Sequence, residues 1–333
     1  MLRLGQQICR DHGRVGLLVG YDQLLPATVV AITSSLMLAL KRQLHELAWG
    51  LTREELQSVI EFAILAFVVY PLLPAGTYAF GVGGRVVRIE PRVVWLMVVT
   101  VAGIGIVNYA VVKSYGGRGI AVTGFFGGLV SSTAVVGTML DHVRQRPAAT
   151  SYAVAAILLA DAAMALRNLF IATAFTLSSG LLVGLVVPLG VVVAVSVVVA
   201  AVTADWHESV AFDLESPFSL RNALGFGAIF LVIIVVGAFA ESQFGTVGFY
   251  ATAAFSGLVS SAGVTTSAVV LYRAGTLTED TAVFGIMIAT AASVAVKAGL
   301  VLVGSERPFA YRVTLWSGAV LLVAGVATAL VVG

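Results

Sequence analysis

Residues 124–144 read GFFGGLVSSTAVVGTMLDHVR, and residues 253–273 read AAFSGLVSSAGVTTSAVVLYR. At an offset of 129 positions the two share eight identities in 21, among them Gly128 with Gly257, Leu129 with Leu258, Ser131 with Ser260 and Ser132 with Ser261. Leu and Val coincide by chance in any apolar chain. An ordered Gly-Leu-Val-Ser-Ser pair at one fixed offset is far less frequent by chance. The register continues without a gap: Arg144 meets Arg273, and Ala160, Ala162 and Ala163 meet Ala289, Ala291 and Ala292. An internal repeat is therefore expected, with two glycine- and serine-bearing segments at equivalent places.

The composition around these segments is that of a polytopic membrane protein. Of 333 residues, 59% are hydrophobic and 11% charged, and the mean hydropathy is +1.02. A soluble domain carries about 25% charge, so 11% cannot cover a globule of this length. That excludes a soluble enzyme, a nucleic-acid binder and a disordered chain. The net charge of +2 gives no basic field for nucleic acid. The single cysteine, Cys9, excludes an intrachain disulfide and a Cys-rich metal site. No Walker A sequence is present, the four histidines lack metal-site spacing, and no nucleophile has a base in reach by sequence. No enzyme, no catalytic residue, no metal and no cofactor are expected.

Apolar runs bounded by charge predict about ten spans: 24–40, 57–73, 92–112, 119–140, 150–176, 180–202, 221–240, 247–272, 281–303 and 311–332. Ser178-Ser179-Gly180 is the one turn able to divide the fifty-odd apolar residues of spans five and six. The loop 203–220 is acidic, with Trp206 and Phe212 suited to an interface. Thr52 and Glu55 predict a capped helix start, and Pro71-Leu72-Leu73-Pro74 shapes the end of span two. Residues 1–20 read as a cytoplasmic tail or as the end of a span begun upstream. The Lys/Arg bias between the two sides is weak and favours termini inside.

Four spans separate the two repeat copies, so both cross in the same sense. The expected fold is an all-α transmembrane bundle with two parallel four-span repeats. Its parts are 1–91 (tail and two leading spans), 92–203 (first unit) and 204–333 (second unit, after the acidic loop). Internal repeats are common in secondary transporters.

The candidate polar site follows from what is costly in lipid. Asp161 and Arg167 in span five and Lys297 in span nine are ionisable residues inside spans. Asn168 shares a helix face with Asp161 and aligns with Lys297, and Thr290 aligns with Asp161. Asp161 is expected to pair with either Lys297 or Arg167, as a relay or as a structural salt bridge. Ser131, Ser132, Thr133, Ser260, Ser261, Thr265 and Thr266 add hydroxyls that either bond neighbouring helices or bind an ion or small solute. Asn108, Asn222 and Glu61 are weaker candidates.

Lys41-Arg42-Gln43-Leu44-His45, Leu51-Thr52-Arg53-Glu54-Glu55-Leu56, Pro71-Leu72-Leu73-Pro74, Trp95-Leu96-Met97-Val98-Val99 and Gly127-Gly128-Leu129-Val130-Ser131-Ser132-Thr133-Ala134 occur in that order. Together they resemble the uncharacterised polytopic domain that follows an MgtC/SapB-like N-terminal domain. The resemblance covers about 15–333 and lacks the N-terminal domain itself, on which any magnesium link would rest. It carries over no binding residue. The expected function is a secondary transporter or ion-homeostasis protein of the cell membrane, multi-pass, for a cation or small solute. The alternative is a non-transporting regulator or partner subunit. Expected partners are the lipid bilayer, an ion or small solute, and a second copy or an MgtC-like membrane protein.

Overall fold

The computed structural model describes residues 52–82, 85–115, 119, 121–204, 220–305 and 307–332. The chain divides into two compact units, Met1–Gln57 and Ser58–Gly333. The described part of the first unit, 52–57, carries the expected capping box. Glu55 N–H donates to Thr52 Oγ1 at 3.2 Å, and Thr52 N–H donates to Glu55 Oε2 at 2.7 Å. Span one (24–40) and most of the acidic loop (205–219) lie outside the described residues.

Helix α1, Arg53–Ala63, runs on through a wide π-helical stretch, Ile64–Val69, to the short turn Tyr70–Leu72. A π-helical turn leaves a carbonyl unserved, and Trp95 Nε1 donates to one of them, Leu65 O, at 2.9 Å. Past Pro71, Arg92 donates to Leu73 O at 2.9 Å, which ties the end of this span to the start of the next. The connection 74–91 is not a plain loop. It forms an antiparallel hairpin, β1 (Tyr78–Val82) with β2 (Arg85–Ile89), Tyr78 opposite Ile89. Val86, Val87 and Ile89 are β-formers flanked by Gly81 and Pro91, a short-range signal that the apolar-run reading passed over.

Helix α2 spans Pro91–Tyr115, and a π-helical stretch, Ala121–Phe126, leads into α3, Gly127–Gln145. Helix α4 is Thr150–Thr176, α5 is Val186–Thr203 and α6 is Leu220–Val259. Helices α7 (Ser261–Arg273), α8 (Glu279–Gly304) and α9 (Arg307–Val332) complete the chain. Among the described residues, seven helical runs are long and apolar enough to cross a membrane. The protein is thus an integral membrane protein built as a helical bundle in a bilayer.

Two of the expected spans, four and eight, differ in detail, and the turn between spans seven and eight is tight. Spans seven and eight meet inside α6, a helical run that is two helices joined at a kink between the expected bounds 221–240 and 247–272. Gly245, at φ 63° and ψ −151°, folds that run back on itself. A Cβ at Gly237 would stand 3.5 Å from the Phe249 ring, whereas 12 residues of straight helix would separate the two by about 18 Å. Spans four and eight are also not continuous helices. The first is interrupted at Ser131 (φ −154°, ψ 103°) and the second at Ser260 (φ −157°, ψ 104°). The division of spans five and six falls where expected, with Gly180 at φ 102°.

Helix α4 is the centre of the bundle. In its apolar window 78% of residues are buried, against 33% for α5 and α9. Its alanines explain how. Ala156 and Ala160 present backbone where Gly124 and Gly128 of the preceding segment lie against them. A Cβ at Gly128 would overlap Ala160 Cα, and one at Gly257 would stand 2.6 Å from Ala289 Cα. Without a hydrophobic drive between helices in lipid, such small-residue contact lets backbones approach and supplies dispersion energy.

Gly257→Leu should therefore destabilise the protein by about 1–3 kcal/mol or more. Gly318→Ala, in open space on α9, should be neutral or stabilising by about 0.5–1 kcal/mol. Thermal unfolding in detergent, followed by tryptophan fluorescence, checks both; equal unfolding temperatures for the parent and Gly257→Leu would contradict the close contact.

Candidate functional site

The site begins with the backbone. At Ser131 and Ser260 the chain turns extended for one residue and then resumes helix. Each serine caps the helix that follows it: Ala134 N–H donates to Ser131 Oγ at 3.2 Å, and Gly263 N–H donates to Ser260 Oγ at 3.1 Å. A break inside a bundle strands the last carbonyls of one arm and the first N–H groups of the next. In the first segment Arg167 Nη1 donates to one stranded carbonyl, Leu129 O, at 3.0 Å. Phe126 O, just upstream, accepts from Asn108 Nδ2 at 2.7 Å.

The face of α4 formed by Asp161, Met164 and Asn168 meets the face of α8 formed by Ser293 and Lys297. Lys297 Nζ donates to Asp161 Oδ1 in an ion pair that is almost wholly buried. The same ammonium donates to Ser132 Oγ at 3.1 Å, beside the first break. Ser293 Oγ donates to Met164 Sδ at 3.2 Å. Asn168 Nδ2 donates to Ser261 Oγ at 3.2 Å, beside the second break. Asp161 therefore pairs with Lys297, and Arg167 is directed instead to the stranded carbonyl.

These contacts recur in pairs. Lys297 reaches Ser132, and Asn168 reaches Ser261; both members of the second pair are the first pair's residues at the 129 offset. At the bundle's ends, Arg144 donates to Gly304 O at 2.8 and 3.1 Å, and Arg273 donates to Phe175 O at 2.6 Å. Those four residues stand in the same exchanged relation. Met164 and Ser293 are offset partners that touch each other.

The remaining candidates separate clearly. Thr266 hydroxyl bonds back to Ala262 O in its own helix and is buried. Thr265 is buried, and its Oγ1 has no hydrogen-bond partner; the same holds for Asn168 Oδ1. Thr133 is exposed and lies away from the ion pair's contacts. Asn108, a weaker candidate, serves the carbonyl of Phe126, whereas Met164, Ser293 and the pair Arg144 and Arg273 were not among the sequence candidates. Spacing was their available signal, since Met164 and Ser293 align at the 129 offset one turn from Asp161 and Lys297.

Two clefts lie at the helix ends. One of about 280 Å³ is lined by Thr77, Glu90, Val93, Val94, Val270 and Arg273, with Arg273 and Glu90 3.6 Å apart. The other, of about 510 Å³, is lined by Ser151, Arg312 and Trp316 among others. Neither is lined by the central polar residues. Among the described residues no group of three or more His, Cys, Asp or Glu side chains could hold a metal ion.

A family model described as a domain of unknown function, DUF4010, matches residues 99–305. The match covers more than half of the chain and takes in both breaks, Asp161 and Lys297, so the chain belongs to this family. It is also similar to an uncharacterized protein of Aquifex aeolicus (strain VF5), 26% identical over 200 residues, covering 58% of this chain and 86% of the relative. No solved structure matches the chain.

Removing one member of a buried pair leaves an uncompensated charge. Lys297→Met alone should cost about 3–5 kcal/mol, and adding Asp161→Leu should recover most of it. A double-mutant cycle of unfolding in detergent measures the coupling; additive single effects would show that the pair is not energetically linked.

Proposed function

We propose that this protein is a secondary transporter whose moving parts are two parallel repeat units, with the Asp161–Lys297 pair as the element that changes state. The carrying observation is a buried ion pair on the seam between α4 and α8, set beside two helices broken at equivalent serines. A charged pair in the middle of a membrane bundle is costly. Broken helices are costly too, because lipid supplies no partner for freed backbone groups. Transporters use both features at a solute site near the repeat interface.

The exchanged contacts support the parallel-repeat reading. A two-fold axis along the membrane normal would carry Lys297–Ser132 onto Asn168–Ser261 and Arg144–Gly304 onto Arg273–Phe175. It would pass close to the Met164–Ser293 contact. Such an axis, with the leading spans, favours ten crossings and two units that rock against each other. The seam is buried in this conformation, so access to it requires that motion. Release of Lys297 from Asp161 on one side and its return on the other would couple a proton or ion to solute passage.

The second reading is a non-transporting membrane regulator or partner subunit. The ordered motifs at 41–45, 51–56, 71–74, 95–99 and 127–134 favour it, because the domain they resemble accompanies an MgtC/SapB-like domain. In that reading the protein sits in the cell membrane beside such a partner, and the ion pair is structural.

Reconstitution separates the two. Purified protein in liposomes should pass a labelled cation or small solute faster than protein-free liposomes, and Asp161→Asn and Lys297→Met should each abolish the difference. Flux unchanged in both variants would remove the pair from the mechanism. Absence of flux for every solute, with stoichiometric co-purification of another membrane protein, would favour the regulator.

A further inference from the structure

The two halves of the polar seam carry different charge at equivalent places. In the first half, two fixed cations sit on the break: Lys297 Nζ at Ser132 Oγ, and Arg167 Nη1 at Leu129 O. In the second half the offset equivalents are neutral. Asn168 stands at Ser261, and position 296, the counterpart of Arg167, is valine.

The oxygens of the second half are correspondingly unserved. Asn168 gives its Nδ2 to Ser261 Oγ, and its Oδ1, on the same amide, is buried without a partner. Thr265 is one turn beyond Ser261 on the same face of α7, fully buried, and its Oγ1 is also unpartnered. Ser260 N–H closes the last bond of α6 on Ser256 O, and Val264 N–H opens the next ladder on Ser260 O. The carbonyls of Gly257, Leu258 and Val259 fall between those ladders. A buried acceptor left unmade costs about 1–3 kcal/mol, so two unserved side-chain oxygens at one helix break call for a bound partner.

We propose that the break between α6 and α7 binds an alkali-metal cation, with the carbonyls freed at the end of α6, Asn168 Oδ1, Ser261 Oγ and Thr265 Oγ1 as ligands. The oxygens are neutral, and the nearby carboxylate, Asp161, is already paired with Lys297. Neutral oxygen sets suit a monovalent ion, whereas calcium and magnesium sites draw on carboxylates. The ion would sit where the first half holds a fixed cation. Its role as a coupling ion rests on the transporter reading; its binding does not.

Binding is tested on the full chain in detergent, with sodium, lithium or potassium chloride replacing choline chloride at constant ionic strength. One of the alkali ions should raise the unfolding temperature in a saturable way, as a ligand of the native state does, and radioactive sodium should report the same site directly or by competition. Thr265→Val removes the unserved hydroxyl at constant shape. In choline it should be as stable as the parent or more so, yet its cation affinity should fall about tenfold or more. Ser261→Ala is the second variant and should weaken binding in the same direction.

The proposal is overturned by equal unfolding temperatures in all four salts with no saturable label. It is equally overturned if both variants bind as the parent does. Solute flux without cation binding would sink the cation site and leave the transporter reading intact. Saturable binding with no flux for any solute would do the reverse.

Discussion

In a bilayer every backbone N–H and C=O must find its partner inside the protein. Ser131 and Ser260 break helices within this bundle, and much of the surrounding structure answers that constraint. The serine hydroxyls cap the resumed helices. Asn108 and Arg167 take carbonyls at and before the first break. Lys297 and Asn168 arrive from α8 and α4 to the serine that follows each break. Gly128 and Gly257 bring the broken segments close against Ala160 and Ala289 of those same helices.

Two breaks built alike are then furnished differently. The first is surrounded by fixed charge, with Lys297, Asp161 and Arg167 all within its reach. The second is surrounded by amides and hydroxyls. The two breaks share their backbone geometry, and single side chains on α4 and α8 give them different chemistry.

Much of the fold was legible because its signals are local. Spans five, nine and ten appear within a few residues of their predicted bounds, since charge and turn residues mark where a chain leaves the hydrocarbon. The Thr52–Glu55 capping box and the turn at Gly180 depend on neighbours in sequence and were legible for the same reason. The hairpin at 78–89 was not, since two five-residue strands hold no run long enough to read as a span. Gly245 falls between the expected spans seven and eight, and only its φ of 63° shows how the chain turns there.

The candidate site divides along the same line. Composition and the cost of burying charge determined by themselves that the chain lies in a membrane and that Asp161, Arg167 and Lys297 are its unusual residues. The 129-residue offset determined which serines correspond. Only the tertiary structure decided that Asp161 takes Lys297 and not the nearer Arg167, and that Thr133 stands outside the site. Helical spacing places a residue on a face of its own helix. Which face meets which, and which carbonyl a break sets free, is fixed by packing between helices more than a hundred residues apart.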